Sequence, residues 1–192
     1  HTTLIYTPGE KTKYSNLGFS LLGVIVEIAS GEPYEQFLQE TIFQPAGMTR
    51  TGYRSPGWKQ TELAVGYQND KPWGTPLDHA WLADGPSWNL RANGGMLSTA
   101  QDLYKWIEAL NGGKLFTVAE KKAFFELNVH RNKRGARTMG VAGSNDIFDA
   151  SYLWYVDERR VLVMLTNSDA YRAEEMIPDL AAKMRDISPG SK

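Results

Sequence analysis

Tyr14-Ser15-Asn16 is followed by an almost unbroken apolar run from Leu17 to Ala29, and no other stretch constrains the chain as strongly. Leu17, Leu21, Ile25 and Ile28 recur at helical spacing as one stripe, and Phe19, Leu22 and Val26 fill another. A helix apolar most of the way round is expected to be buried. Gly31 is its natural stop. Pro33 suits the first turn of a second helix, running to about Phe43 with Tyr34, Phe37, Leu38 and Ile42 inward. A polar triplet at the start of a buried helix is held in place and can present side chains to a cleft.

Ahead of the triplet, residues 7–13 read as a turn and a short extended approach. Residues 44–97 have no sustained period and hold four tryptophans, Trp58, Trp73, Trp81 and Trp88. So long a stretch without regular structure is uncommon unless it has a function. Either it is a cover whose tryptophans pack on the core, or one or two of them line a substrate cleft. Ser98-Thr99-Ala100-Gln101 opens a helix as a capping box, with Leu103, Trp106, Ile107 and Leu110 on one face. Asn111-Gly112-Gly113 stops it. Thr117-Val118-Ala119-Glu120 opens a shorter helix carrying Phe124 and Phe125.

The character changes near residue 136. Arg137–Ser144 is a Gly-rich strand, Ile147–Val156 a strand rich in aromatic and β-branched residues, and Val161–Thr166 a strand apolar on both faces. Asp157-Glu158-Arg159-Arg160 turns between the last two, giving an antiparallel meander. A final helix is expected from Asn167-Ser168-Asp169 to about Ile187, kinked or restarted at Pro178. The expected organisation is one α/β (α+β) domain, 1–192. Residues 1–135 are mostly helix and loop, and 136–192 hold the three-strand meander and the C-terminal helix.

Composition narrows the function. Basic and acidic residues number 21 and 22, for a net charge of −1. The one basic cluster, Arg131-Asn132-Lys133-Arg134, reads as a solvated loop, so nucleic acid is not an expected partner. No apolar run reaches the ~18 residues of a membrane helix. Without cysteine there is no thiolate chemistry, and that choice fits any compartment. His1, His79 and His130 have no ligand spacing, and no metal or other cofactor is expected. Asp78 and Asp84 flank His79 and read as loop-solvating carboxylates rather than a catalytic pair.

Pro8-Gly9-Glu10, Tyr14-Ser15-Asn16, Leu21-Leu22-Gly23, Ser30-Gly31 and Pro45-x-Gly47-Met48, in this order, resemble the second half of the serine β-lactamase-related hydrolases. The class C β-lactamases, with their penicillin-binding and esterase relatives, are the nearest subgroup. Asn93-Gly94-Gly95-Met96-Leu97-Ser98-Thr99-Ala100-x-Asp102-Leu103 resembles a further segment of that family. On the residues alone that segment is a turn and a helix cap. The resemblance implies a β-lactamase/transpeptidase-like fold: an antiparallel sheet flanked by helices, with a helical region and a cleft between, here incomplete at its N-terminus.

Three constellations meet in that family's cleft. One is Ser-x-x-Lys, whose serine attacks a carbonyl. Another is Tyr-x-Asn, present as Tyr14 and Asn16. A phenol's ordinary pKa is about 10, so it relays a proton at neutral pH only where positive charge stabilises the phenolate. The resemblance gives Asn16 the task of orienting a lysine and donating to the substrate. The last is a Lys-Thr-Gly or His-x-Gly strand, which aligns best with residues 140–146 and assigns substrate binding to Gly143 and Ser144. Val141 stands where the family carries lysine or histidine, and is also an ordinary strand residue.

No lysine in the chain has serine three residues before it, and there is no Gly-x-Ser-x-Gly elbow. Ser20 reads as a helix-packing serine. By resemblance, the nucleophile would fall before His1. The expected function is therefore a serine hydrolase of ester, amide or β-lactam bonds, represented by its C-terminal portion and inactive alone. The alternative is a catalytically dead relative that binds a ligand or partner. Self-association or an N-terminal partner segment is expected, and a periplasmic or extracellular site is implied by the resemblance alone.

Overall fold

The computed structural model of the chain describes residues 5–79 and 90–184. Trp81, Asp84, Trp88, His1 and the expected end of the last helix at Ile187 lie outside the described residues.

Helix α1 (Asn16–Ser30) begins where Ser15 accepts the Gly18 N–H at 3.1 Å and ends at Gly31, whose left-handed backbone (φ 74°) closes the last turn. α2 (Tyr34–Leu38) runs through a π-helical turn, Gln39–Phe43, into α3 (Gln44–Ala46). The long middle stretch is less irregular than its composition implies. It contains a hairpin, β1 (Gly66–Gln68) and β2 (Lys71–Gly74), turning through Asn69 and Asp70, both with positive φ.

α4 (Ala100–Asn111) starts at Thr99, which accepts the Asp102 N–H, one residue later than the expected Ser98. α5 (Val118–Asn128) has the expected capping box between Thr117 and Glu120. A two-residue strand, β3 (His130–Arg131), then pairs with β4 (Arg137–Ser144), so among the described residues the sheet has four strands rather than three, in the order β3-β4-β5-β6. β5 (Asp149–Tyr155) and β6 (Arg160–Thr166) complete the antiparallel meander.

Residues directly opposite in the ladder share a face. Met139, Trp154 and Val161 therefore lie together, as do Val141, Tyr152 and Val163, and Gly143, Ala150 and Leu165. Part of this face packs on Ile107 and Leu110 of α4 and Phe124 and Phe125 of α5. The opposite face sets Leu153, Tyr155, Leu162 and Met164 against α6 (Ala173–Lys183) through Ile177, Leu180 and Ala181. α6 starts later than expected, because Asn167 and Asp169 are engaged with the hairpin: Tyr67 N–H donates to Asn167 O (2.8 Å), and Asn167 Nδ2 donates to Val65 O (2.7 Å). Pro178 sits inside one uninterrupted helix. Buried Asp149 fixes that helix to the sheet. Its Oδ1 accepts the Ala173 N–H at 3.0 Å, and Arg172 Nε lies 3.0 Å from its Oδ2, close enough for ion pairing although the N–H is not aimed at the oxygen.

The expectation of a buried α1 is overturned. Leu17, Phe19, Leu21, Leu22, Val24, Ile25 and Ile28 are all exposed, Ile28 to 78%, and Gly23 alone is buried. The helix packs through a narrow polar and glycine stripe, Ser20, Gly23 and Glu27, so its apolar circumference meets solvent. An all-round apolar helix is buried only where elements exist to surround it.

Candidate active site

The N-terminus of α1 places Tyr14 and Asn16 side by side. The Tyr14 hydroxyl donates to Asn16 Oδ1 at 2.8 Å, and the Tyr14 ring lies 5.4 Å from that of Phe19. Tyr14 is 71% exposed. Ser15, between them, is spent as the helix cap.

A clamp on the other side of α1 holds the helix. Asn93 Nδ2 donates to the Ser20 hydroxyl (2.7 Å), which faces Arg91 O at 3.4 Å. Arg91 pairs with Glu27 at 2.7 Å, and Glu27 Oε1 also accepts the Tyr34 N–H (2.8 Å). Ala92 N–H donates to the Tyr53 hydroxyl (2.9 Å). Burial pushes that phenol up to about 12, against the lowering effect of the Ala92 hydrogen bond, so it stays a neutral acceptor. Ser20 is a packing serine, and its hydroxyl links α1 to the Arg91–Asn93 turn. The Asn93-Gly94-Gly95 segment is thus tied to the helix that carries Tyr14 and Asn16.

Gly143 and Ser144 end strand β4 and are exposed. A Cβ at Gly143 would meet open space. The Ser144 hydroxyl accepts the Asp146 N–H (3.1 Å), and Asn145 Oδ1 accepts the N–H groups of Ile147 (3.2 Å) and Phe148 (2.7 Å), which fixes the turn into β5. Val141 shares a face with Gly143 and is 50% exposed. Among the described residues, no hydrogen bond or ring contact joins Tyr14 and Asn16 to Gly143 and Ser144. The first pair stands at the head of α1 and the second at the end of β4.

The remaining candidates have structural partners. Asp78 Oδ2 accepts the N–H (2.7 Å) and hydroxyl (2.9 Å) of Thr75, and these bonds hold its carboxyl below the usual range. His79 stacks on Trp73 with ring centroids 3.3 Å apart. Trp58 donates to Tyr53 O (2.7 Å) under the Arg50 guanidinium. Among the described residues no three His, Asp or Glu side chains gather as a metal site. No described helix is long and apolar enough to cross a membrane.

A sheet with α6 on one face and α4 and α5 on the other, with an open patch beside the end of β4, defines a β-lactamase/transpeptidase-like fold. The octameric penicillin-binding protein homologue from Pyrococcus abyssi superposes with a TM-score of 0.74 at 22% identity, over 94% of this chain and 44% of that one. The β-lactamase/D-alanine carboxypeptidase from Pseudomonas syringae gives 0.72 at 19% identity, over 96% of this chain and 62% of that one. The family model described as Beta-lactamase matches residues 1–183, and the chain belongs to that family. The putative penicillin-binding protein PbpX of Bacillus subtilis (strain 168) is 34% identical over 112 residues, 58% of this chain and 27% of that protein. The chain therefore spans less than two thirds of the length of each of these relatives.

Proposed function

We propose that the chain supplies two walls of a serine hydrolase cleft that opens ester, amide or β-lactam carbonyls through an acyl-enzyme. The observation that carries this reading is the Tyr14–Asn16 hydrogen bond at the exposed head of a clamped helix, in a chain of this family. A serine attacking a carbonyl must lose its proton, and the leaving group must gain one. Tyr14 is the relay: its hydroxyl can pass a proton while Asn16 fixes the direction of the phenol. Backbone N–H groups near Gly143 and Ser144 stabilise the oxyanion, and the open space at Gly143 admits the acyl carbonyl. This reading takes its nucleophile from a Ser-x-x-Lys, a motif that these 192 residues do not contain.

The isolated chain is accordingly inactive. Chromogenic cephalosporin and short-chain p-nitrophenyl ester assays test this, with no turnover expected. A burst with a covalent serine adduct by mass spectrometry overturns it. In a longer protein that carries Ser-x-x-Lys, Tyr14→Phe lowers turnover by roughly 10²- to 10⁴-fold. An unchanged rate there reduces Tyr14 to a packing residue.

Val141 favours a second reading, a family relative that binds without catalysis, because an exposed apolar side chain cannot supply a cation to the phenol. In either reading, the exposed apolar face of α1 and the outer edge of β6, unpaired among the described residues, call for association, with a second copy or with a further segment of the protein. The octameric state of the Pyrococcus abyssi homologue is consistent with the first of these.

A further inference from the structure

Among the described residues, Trp73, Phe148 and His79 join none of the three core clusters, yet the three rings pack on one another. Trp73 meets Phe148 edge to face at 5.9 Å and 81°, while His79 stacks on it at 18°. All three are half-buried. Phe148 closes the turn that follows Ser144: its carbonyl accepts the Asn145 N–H at 3.1 Å. The hairpin bearing Trp73 is pressed onto the same turn. A Cβ at Gly66 would stand 2.4 Å from Ile147 Cγ2 and 3.0 Å from Phe148 Cζ. Beyond Trp73, Asp78 closes the turn on Thr75 that brings His79 back over the indole. Two tight turns and a hairpin are thus committed to holding an aromatic stack at the end of β4 rather than in the interior.

We propose that the Trp73–His79 stack, backed by Phe148, is the specificity wall for the acyl substituent of the substrate, and that it selects a flat aromatic group. This rests on the cleft reading of Gly143 and Ser144 given above. The 145–148 turn, whose Phe148 meets Trp73, alone separates the end of β4 from the stack, so an acyl substituent lying over that turn would meet it. Indole and imidazole faces reward an aryl group by offset stacking and an alkyl group only by area.

Titration calorimetry of the chain with benzylpenicillin, which carries a phenylacetyl group, and with 6-aminopenicillanic acid, which has no acyl substituent, tests this. Benzylpenicillin is expected to bind more tightly, by roughly 2- to 12-fold. Trp73→Ala closes that gap and leaves 6-aminopenicillanic acid unchanged. His79→Ala, which removes one stacking face and no core contact, narrows it and serves if Trp73→Ala fails to fold. Equal binding of the two ligands, or a gap that survives both substitutions, overturns the wall and leaves the cleft reading standing. Binding of neither ligand overturns both.

Discussion

The Cα of Gly23 faces Ala92 so closely that a Cβ on the glycine would lie 2.6 Å from the Ala92 Cβ. Ala92 cannot retreat easily. Its backbone is left-handed (φ 66°) and its N–H is tied to the Tyr53 hydroxyl. Gly23→Ala is therefore expected to destabilise the fold by about 1–3 kcal/mol through overpacking, despite alanine's better helix propensity. Urea unfolding checks it; a stabilised variant would mean that the Arg91–Asn93 turn yields freely.

Glu35 is buried, and its Oε1 accepts three backbone N–H groups, from Tyr53 (2.8 Å), Arg54 (2.7 Å) and Ser55 (2.8 Å). Glu35→Ala leaves these donors without their acceptor and should cost roughly 2–4 kcal/mol. Amide hydrogen exchange at residues 53–55 should accelerate in the variant. Unchanged protection there would refute the pinning role.

Asp102 gives the fold a pH dependence. Burial alone would raise its carboxyl, but bonds from Lys105 Nζ (2.7 Å), the Arg50 N–H (2.6 Å) and the Thr51 hydroxyl (3.0 Å) hold it below the ordinary carboxylate value. A carboxyl depressed in the folded state stabilises above its unfolded pKa of about 3.9, and that contribution is lost as pH falls through the lower folded value. Asp102→Asn should cost roughly 2–4 kcal/mol at pH 7, and the difference from the parent chain should shrink between pH 4 and pH 2. A gap independent of pH would assign the loss to packing.

Association should depend on α1. At micromolar concentration the chain is expected to sediment above monomer mass and to bind a hydrophobic dye. Ile25→Glu with Ile28→Glu, at positions 58% and 78% exposed, should reduce both at a stability cost within about 0.5 kcal/mol. A compact monomer that binds no dye would show that the apolar face is tolerated bare.

Local chemistry made much of the fold legible. Gly31, the Thr117–Glu120 box and the unbroken apolar run of β6 mark their elements because each acts within a few residues. The hairpin at Gly66–Gly74 was hidden by its three- and four-residue strands and by Pro72, which lacks a ladder donor; the Asn69-Asp70 pair was its one signal. Periodicity located α1 but misjudged its surroundings, since burial depends on what other segments bring to the helix. The family resemblance, not their spacing, singles out Tyr14 and Asn16, and their mutual hydrogen bond is visible only in the structure. The clamp from Ser20 to Asn93 spans 73 residues and leaves no local trace.

Asp149 stands opposite Ser144 in the ladder and also accepts the first N–H of α6. The C-terminal helix is thus moored at the residue that faces the end of the candidate substrate strand. A single rung joins the first turn of α6 to Ser144, and a displacement of that turn would bear directly on the end of β4.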